Sequence, residues 1–276
     1  MKFRVIRKFV LQKLSLKKKQ QLWRFFLILL KPSNLLFFAL FGAVKRTKTD
    51  VKRVYADSMR PRSKEIIEEL NELIAQVESK ALWPAAYRIR FIDGMSGQSF
   101  RALLNLLFSN KNKSYLEIGT WKGSTFCSAI YSNSIEAICI DNWSEFGSPS
   151  QIAIRNISKR TNDSSKVSIL NSDFRKVPYN LLLEREVDVY FFDGPHSQED
   201  HYDAITVLRS LNFSSILYIV DDWNWDNVRQ GTLYGLDSLG IRIAGKIEIF
   251  ASTKTLGRQS RWHNGYAFFV LERDQF

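Results

Sequence analysis

Two short stretches of this 276-residue chain hold carboxylates, an imidazole and an amide in patterns that suit metal or acid–base chemistry. The first is Phe191-Phe192-Asp193-Gly194-Pro195-His196-Ser197 and the second Val220-Asp221-Asp222-Trp223-Asn224. Each closes an apolar, β-rich run, VDVYFFD (187–193) and SILYIVDD (215–222). If these runs are adjacent parallel strands, their ends lie side by side at one sheet edge, and the polar groups converge there. Carboxylates packed so closely cannot all stay ionised cheaply. A divalent cation resolves the repulsion, and hard oxygen donors favour Mg2+ or a relative. His196 is the candidate general base, with His201 second; the competing role for His196 is to cap a helix over 198–210.

A second constellation lies upstream, where the run SYLEIG (114–119) leads into Glu117-Ile-Gly119-Thr120-Trp121-Lys122-Gly123-Ser124-Thr125. Two glycines four apart let the backbone turn tightly and approach a ligand, and Ser124 and Thr125 suit a helix start whose free N–H groups face the site. In an open α/β sheet this is where ligands bind. Unlike a dinucleotide fingerprint, the loop opens with an acid, which repels a pyrophosphate and suits a cationic ligand.

Glu-x-Gly-x-x-x-Gly-Ser after a strand resembles motif I of class I S-adenosylmethionine (SAM)-dependent methyltransferases. The resemblance implies a loop of Glu117, Gly119, Thr120, Gly123 and Ser124 around the methionine part of SAM, with Asp141 at the end of EAICID (136–141) on the ribose hydroxyls. It also implies Asn142 and Trp143 beside the adenosine, and Ser172 and Asp173 near the adenine.

The downstream half, DGPHS followed by VDDWN, is similar to methyltransferase family 24, which includes macrocin-type and related sugar and natural-product O-methyltransferases. That likeness implies Mg2+ on Asp193, Asp221 and Asp222, binding two acceptor oxygens and lowering the pKa of the hydroxyl to be methylated. One departure stands out: some relatives carry an acidic base two residues after the first metal ligand, and here that position is Pro195. The likeness covers roughly residues 90 to 272. It implies O-methylation of a sugar, glycolipid or natural product, that is, a small-molecule or glycan acceptor. The rival readings are a hydroxylase-like protein on the same fold and a non-catalytic, membrane-tethered scaffold. No Asn-Pro-Pro-Tyr-like motif follows the fourth strand, so no nucleic acid partner is expected.

The elements that must position these residues alternate from about 64 onward. SKEIIEELNELIAQVESKAL (63–82) and SFRALLNLLF (99–108) have helical spacing. β-rich runs then fall at 114–119, 136–141, 166–170, 187–193 and 215–222, with helices near 124–132, 150–160, 178–184 and 198–210. Apolar strands separated by helices predict a parallel sheet covered on both faces. KIEIF (246–250) and YAFFVLE (266–272) predict a closing antiparallel hairpin. The expected fold is thus α/β and Rossmann-like: a central, mostly parallel seven-stranded sheet with an antiparallel last strand and helices on both faces. Residues 83–98, 143–152 and 223–235 are expected to form a lid.

The net charge of +12 is unevenly spread: residues 1–63 carry 17 Lys/Arg against two acids, and 64–276 carry 23 against 26. The reading is therefore a basic and apolar extension (1–63) before a methyltransferase domain (64–276). LWRFFLILL (22–30) and LLFFALFGAV (35–44) are split by KPSN, so neither reaches the ~20 apolar residues of a spanning helix. They suit a segment of residues 1–48 lying in an anionic membrane surface; packing on the domain or on a second subunit of a homo-oligomer is the alternative. No secretory signal pattern is present, and the expected location is cytoplasmic, peripheral on the inner face of the membrane. Cys127 and Cys139 sit among apolar neighbours and are expected as buried thiols.

Overall fold

Every β-rich run named between 114 and 272 forms a strand in the computed structural model, which describes residues 49–79, 88–109, 112–182, 185–251 and 261–273. The extension over 1–48, with the membrane association expected of it, lies outside the described residues, as do residues 83–87 of the expected lid.

The strands are β1 (Asp50–Tyr55), β2 (Ser114–Ile118), β3 (Glu136–Asp141), β4 (Lys166–Asn171), β5 (Val189–Phe192), β6 (Ser215–Val220), β7 (Arg242–Phe250) and β8 (Tyr266–Glu272). They form one eight-stranded sheet in the order β1-β7-β8-β6-β5-β2-β3-β4. β2 to β6 pair in parallel, and β8 runs antiparallel to both β6 and β7. The order reverses at β2, which has β3 on one side and β5 on the other, so a crevice opens beyond the ends of these strands.

Every residue of β2, β5, β6 and β8 is buried, as a sheet covered on both faces requires. Side chains alternate between two cores. Phe191, Leu217 and Ile219 face one, shared with Ile66, Ile67, Leu70 and Ile74 of α1 (Pro61–Ser79) and with α2 (Gln98–Leu107). Tyr190, Phe192, Tyr218 and Val220 face the other, beneath α6 (Gln198–Val207). The remaining helices are α3 (Ser124–Ile130), α4 (Ser150–Ser158), α5 (Tyr179–Leu182) and α7 (Asp226–Ser238). Among the described residues, no helix is long and apolar enough to cross a membrane. Both cysteines are buried and free.

Three features differ from the expectation. β1, an eighth strand inside the span assigned to the extension, pairs antiparallel with β7. Five of its six residues are exposed, so no alternation marks it, and Lys52 and Arg53 give it the charge typical of a protected edge. β7 starts four residues before KIEIF, because a register shift between Ile243 and Gly245 interrupts its pattern. Residues 226–235 are not lid but the first ten residues of α7, which packs on α6 through two glycines. A Cβ on Gly231 would lie 2.2 Å from the Gln198 carbonyl oxygen, and one on Gly235 would lie 2.8 Å from Ile205 Cγ1. Glycine inside a helix lowers its propensity, which hid this element from a pattern reading.

Candidate active site

The loop after β2 is shaped by what crosses beneath it. Gly119 has φ +89°, and a Cβ there would sit 1.8 Å from the Asp193 carbonyl oxygen, so only glycine fits. Gly123, at φ +81°, starts α3. Asp141 then fixes the loop: its Oδ2 accepts the backbone N–H of Thr120 (2.9 Å) and Trp121 (2.7 Å), and its Oδ1 that of Trp143 (2.6 Å). A carboxylate has about four lone-pair sites, so Asp141 retains capacity for a ligand hydroxyl while bracing the loop.

Glu117 sits differently from the expectation. It is fully buried, taking hydrogen bonds from the Tyr115 hydroxyl (2.5 Å) and the Thr125 hydroxyl (2.9 Å). Burial pushes its carboxyl up to about 8, so at neutral pH it is largely a neutral internal strut. Neither Glu117 nor Gly123 lines the cavity.

That cavity, about 380 Å³, opens beyond the carboxyl ends of β2, β3, β5 and β6. Of the residues singled out by sequence, Gly119, Thr120, Ser124, Asp141, Asn142, Ser172 and Asp173 line it together with Asp193, His196, Asp221 and Asp222. One end is built by the glycine loop, Asp141 and the 172–173 turn, the other by the acidic cluster.

In the acidic cluster His196 Nε2 lies 2.8 Å from Asp222 Oδ2, and Asn264 Nδ2 donates to Asp222 Oδ1 at 2.5 Å. Against the upward push of burial, these partners hold Asp222 below the usual carboxylate range. Asp193 and Asp221 are pushed well above it, by burial first and then by neighbouring carboxylates. Asp222 adopts φ +53°, a costly backbone for a non-glycine residue and one that concentrates at functional sites. Ligand atoms of Asp193, His196 and Asp222 all lie within 4.8 Å of one another. Asp221 is not in that group; its Oδ1 accepts the Asp222 backbone N–H at 2.8 Å. The structure thus gathers His196 where the family likeness implied Asp221.

His201, the second candidate base, is buried between α6 and α7, 3.3 Å from Thr232 Oγ1 and edge-on to Phe192. Burial lowers its pKa to about 4, and it does not line the cavity. His196 does not cap α6 either, because Ser197 does so in a capping box with Asp200.

The family model described as a methyltransferase domain, methyltransferase family 24, matches residues 116–223, the stretch from β2 to the end of the acidic cluster. No curated protein matches the chain. Solved structures with a related shape include an O-methyltransferase from Bacillus cereus in complex with SAH (14% identity, 78% of this chain and 93% of that one, TM-score 0.42). Another is the O-methyltransferase TomG from Streptomyces achromogenes, in complex with SAM (16% identity, 78% and 100%, TM-score 0.45). A third is TrmN from Thermus thermophilus (12% identity, TM-score 0.46); it covers 68% of this chain, and the chain spans about half of its length.

Phe146 and Trp225, from the loops after β3 and β6, line the cavity within segments expected as lid, whereas Arg175, after β4, and His263 and Asn264, from the turn before β8, went unnoticed in the sequence. All lie on connections without periodicity. The one available signal was Asn264-Gly265, a turn dipeptide that had to fall at the carboxyl edge once β8 was placed antiparallel.

Proposed function

We propose that this protein is a SAM-dependent O-methyltransferase acting on a hydroxylated acceptor, with assistance from a divalent cation. A single observation carries the reading: one cavity joins a glycine loop braced by Asp141 to a cluster of Asp193, His196 and Asp222. The first end suits a nucleoside with hydroxyls for Asp141 and a methionine chain beside the N-terminus of α3. The second suits a group whose oxygen must lose a proton as it is methylated.

The donor set fits a cation. His196 Nε2 faces Asp222 Oδ2 at 2.8 Å, and ligand atoms of Asp193, His196 and Asp222 all lie within 4.8 Å of one another. Two donors so spaced match neighbouring ligands of one ion about 2.0–2.2 Å away. A bound cation would lower the pKa of an acceptor hydroxyl. The chain's own work is positional. Asp141 and the 119–123 loop orient the cofactor, Gly119 lets the loop lie directly on the strand end bearing Asp193, and Asn264 fixes the rotamer of Asp222. In a metal-free reading, the same His196, oriented by Asp222, takes the acceptor proton.

The acceptor class follows from the lining. The aromatic mouth suits the apolar face of a sugar or a ring-bearing natural product. The test is transfer of labelled methyl from SAM to a panel of hydroxylated glycans, glycolipids and phenolics, with Mg2+ and with EDTA. Methyl transfer that is unaffected by EDTA leaves the His196 route; a folded protein that binds no SAM overturns the reading.

A further inference from the structure

Three of the large apolar side chains left exposed in this domain line the cavity mouth: Met95 (44% exposed), Phe146 (60%) and Trp225 (42%). Trp121 joins them, its ring edge-on to Phe146 at a centroid distance of 6.2 Å. They come from four separate connections, before α2 and after β2, β3 and β6, so the amphipathicity of no one element accounts for them. Trp121 and Phe146 are held in the left-handed region, at φ 45° and 51°, which bulky residues seldom adopt. The Trp143 indole, donating to the Trp121 carbonyl at 2.8 Å, helps fix that arrangement. Apolar side chains scattered singly over a surface need no explanation, but a ring of them around a site does.

The place where the rest of the chain joins adds a second observation. β7 is antiparallel to β8, and β8 to β6, so β7 ends at the same edge as the parallel strands. Asp50 pairs with Phe250, the last residue of β7, which puts the start of β1 at the edge where the cavity opens. Residues 1–48 connect there, carrying 13 Lys/Arg and no Asp/Glu together with the apolar runs at 22–30 and 35–44.

We propose that the aromatic rim of the cavity docks on an anionic lipid bilayer and that the enzyme takes a hydroxylated acceptor from the membrane surface. The inference rests on this cavity being the methyltransferase site. Stable attachment of a peripheral protein takes two signals, and here they are a polybasic segment and an aromatic rim suited to the headgroup region. The group that enters is the hydroxyl-bearing acceptor of the proposed function, and the Lys/Arg of residues 1–48 supply the attraction to anionic lipid.

The test uses the full chain and vesicles of phosphatidylglycerol and phosphatidylcholine, the latter with brominated acyl chains that quench tryptophan fluorescence on contact. Wild type is compared with the Trp121→Phe, Trp225→Phe double variant, and partitioning is measured by sedimentation for Phe146→Ser, Trp225→Ser. The rim inference predicts that the double Phe variant loses a large share of the quenching and that the Ser variant partitions about tenfold more weakly. Equal quenching in wild type and the double Phe variant would mean that only the extension, with Trp23, reaches the lipid, and would overturn the proposal. So would a failure to sediment with the vesicles. The readout needs no SAM: a chain that docks but binds no SAM fails only the functional reading, and one that binds SAM without rim quenching fails only this inference.

Discussion

Gly119 and Asp193 meet backbone to backbone, so closely that a Cβ on Gly119 would fall 1.8 Å from the Asp193 carbonyl oxygen. The glycine loop after β2 therefore lies directly against the strand end that carries Asp193. Gly119→Ala is expected to cost about 3 kcal/mol or more, since it combines a clash with backbone and a positive φ, and to weaken SAM binding over tenfold. Thermal melting alongside calorimetry checks both. A variant as stable and as tight-binding as wild type would show that the crossing is not obligatory.

On the proposed reading the cation donors are Asp193, His196 and Asp222, and Asp221, whose Oδ1 accepts the Asp222 backbone N–H, stands outside that group. Mn2+ binding, followed by its electron paramagnetic resonance signal, should weaken at least tenfold in His196→Ala and Asp222→Asn and less in Asp221→Asn. If Asp221→Asn is the most damaging of the three, the three-aspartate set implied by the family likeness is correct and the geometric set is not.

Glu117 carries a pH dependence that can be read without any ligand. Its carboxyl is raised from 4.5 to about 8 by burial, so between those values the folded chain holds a proton that the unfolded chain has released. Its contribution to stability therefore falls as pH rises through that window, by up to about 1.4 kcal/mol per pH unit. Glu117→Gln removes this term while keeping an acceptor for the Tyr115 and Thr125 hydroxyls. Denaturant melts from pH 5 to 8 should show the variant gaining on wild type as pH rises; a constant difference would mean that Glu117 is ionised throughout.

Much of this architecture was legible in the sequence because its strands are buried on both faces and read as unbroken apolar runs, and because DGPHS and VDDWN sit directly on strand ends. Those ends had to converge once β5 and β6 were neighbours. What escaped had physical reasons: β1 is exposed on an edge, α7 is interrupted by Gly231 and Gly235, and His263 and Asn264 reach the site along a non-periodic connection. Glu117 was placed correctly along its strand, but the direction of its side chain was set by Tyr115 and Thr125, which carry no signal in the pattern.

The α6–α7 contact offers a test of that last helix. Gly231→Ala places a methyl 2.2 Å from the Gln198 carbonyl oxygen and 2.9 Å from His201 Cβ, and should destabilise the fold by about 1–3 kcal/mol. Urea melts would settle it; a neutral or stabilising substitution would mean that the helices stand farther apart than described.

The central claim is that the cavity holds SAM with Asp141 as its hydroxyl acceptor and loop brace. Isothermal titration of SAM into the full-length protein, beside Asp141→Ala, tests it most directly. Binding in about the micromolar range, corresponding to roughly 8 kcal/mol, with a loss of at least tenfold in the variant, is the expected result. Well-folded wild-type protein that takes up no SAM, or that binds it equally well without the Asp141 carboxylate, would contradict the account.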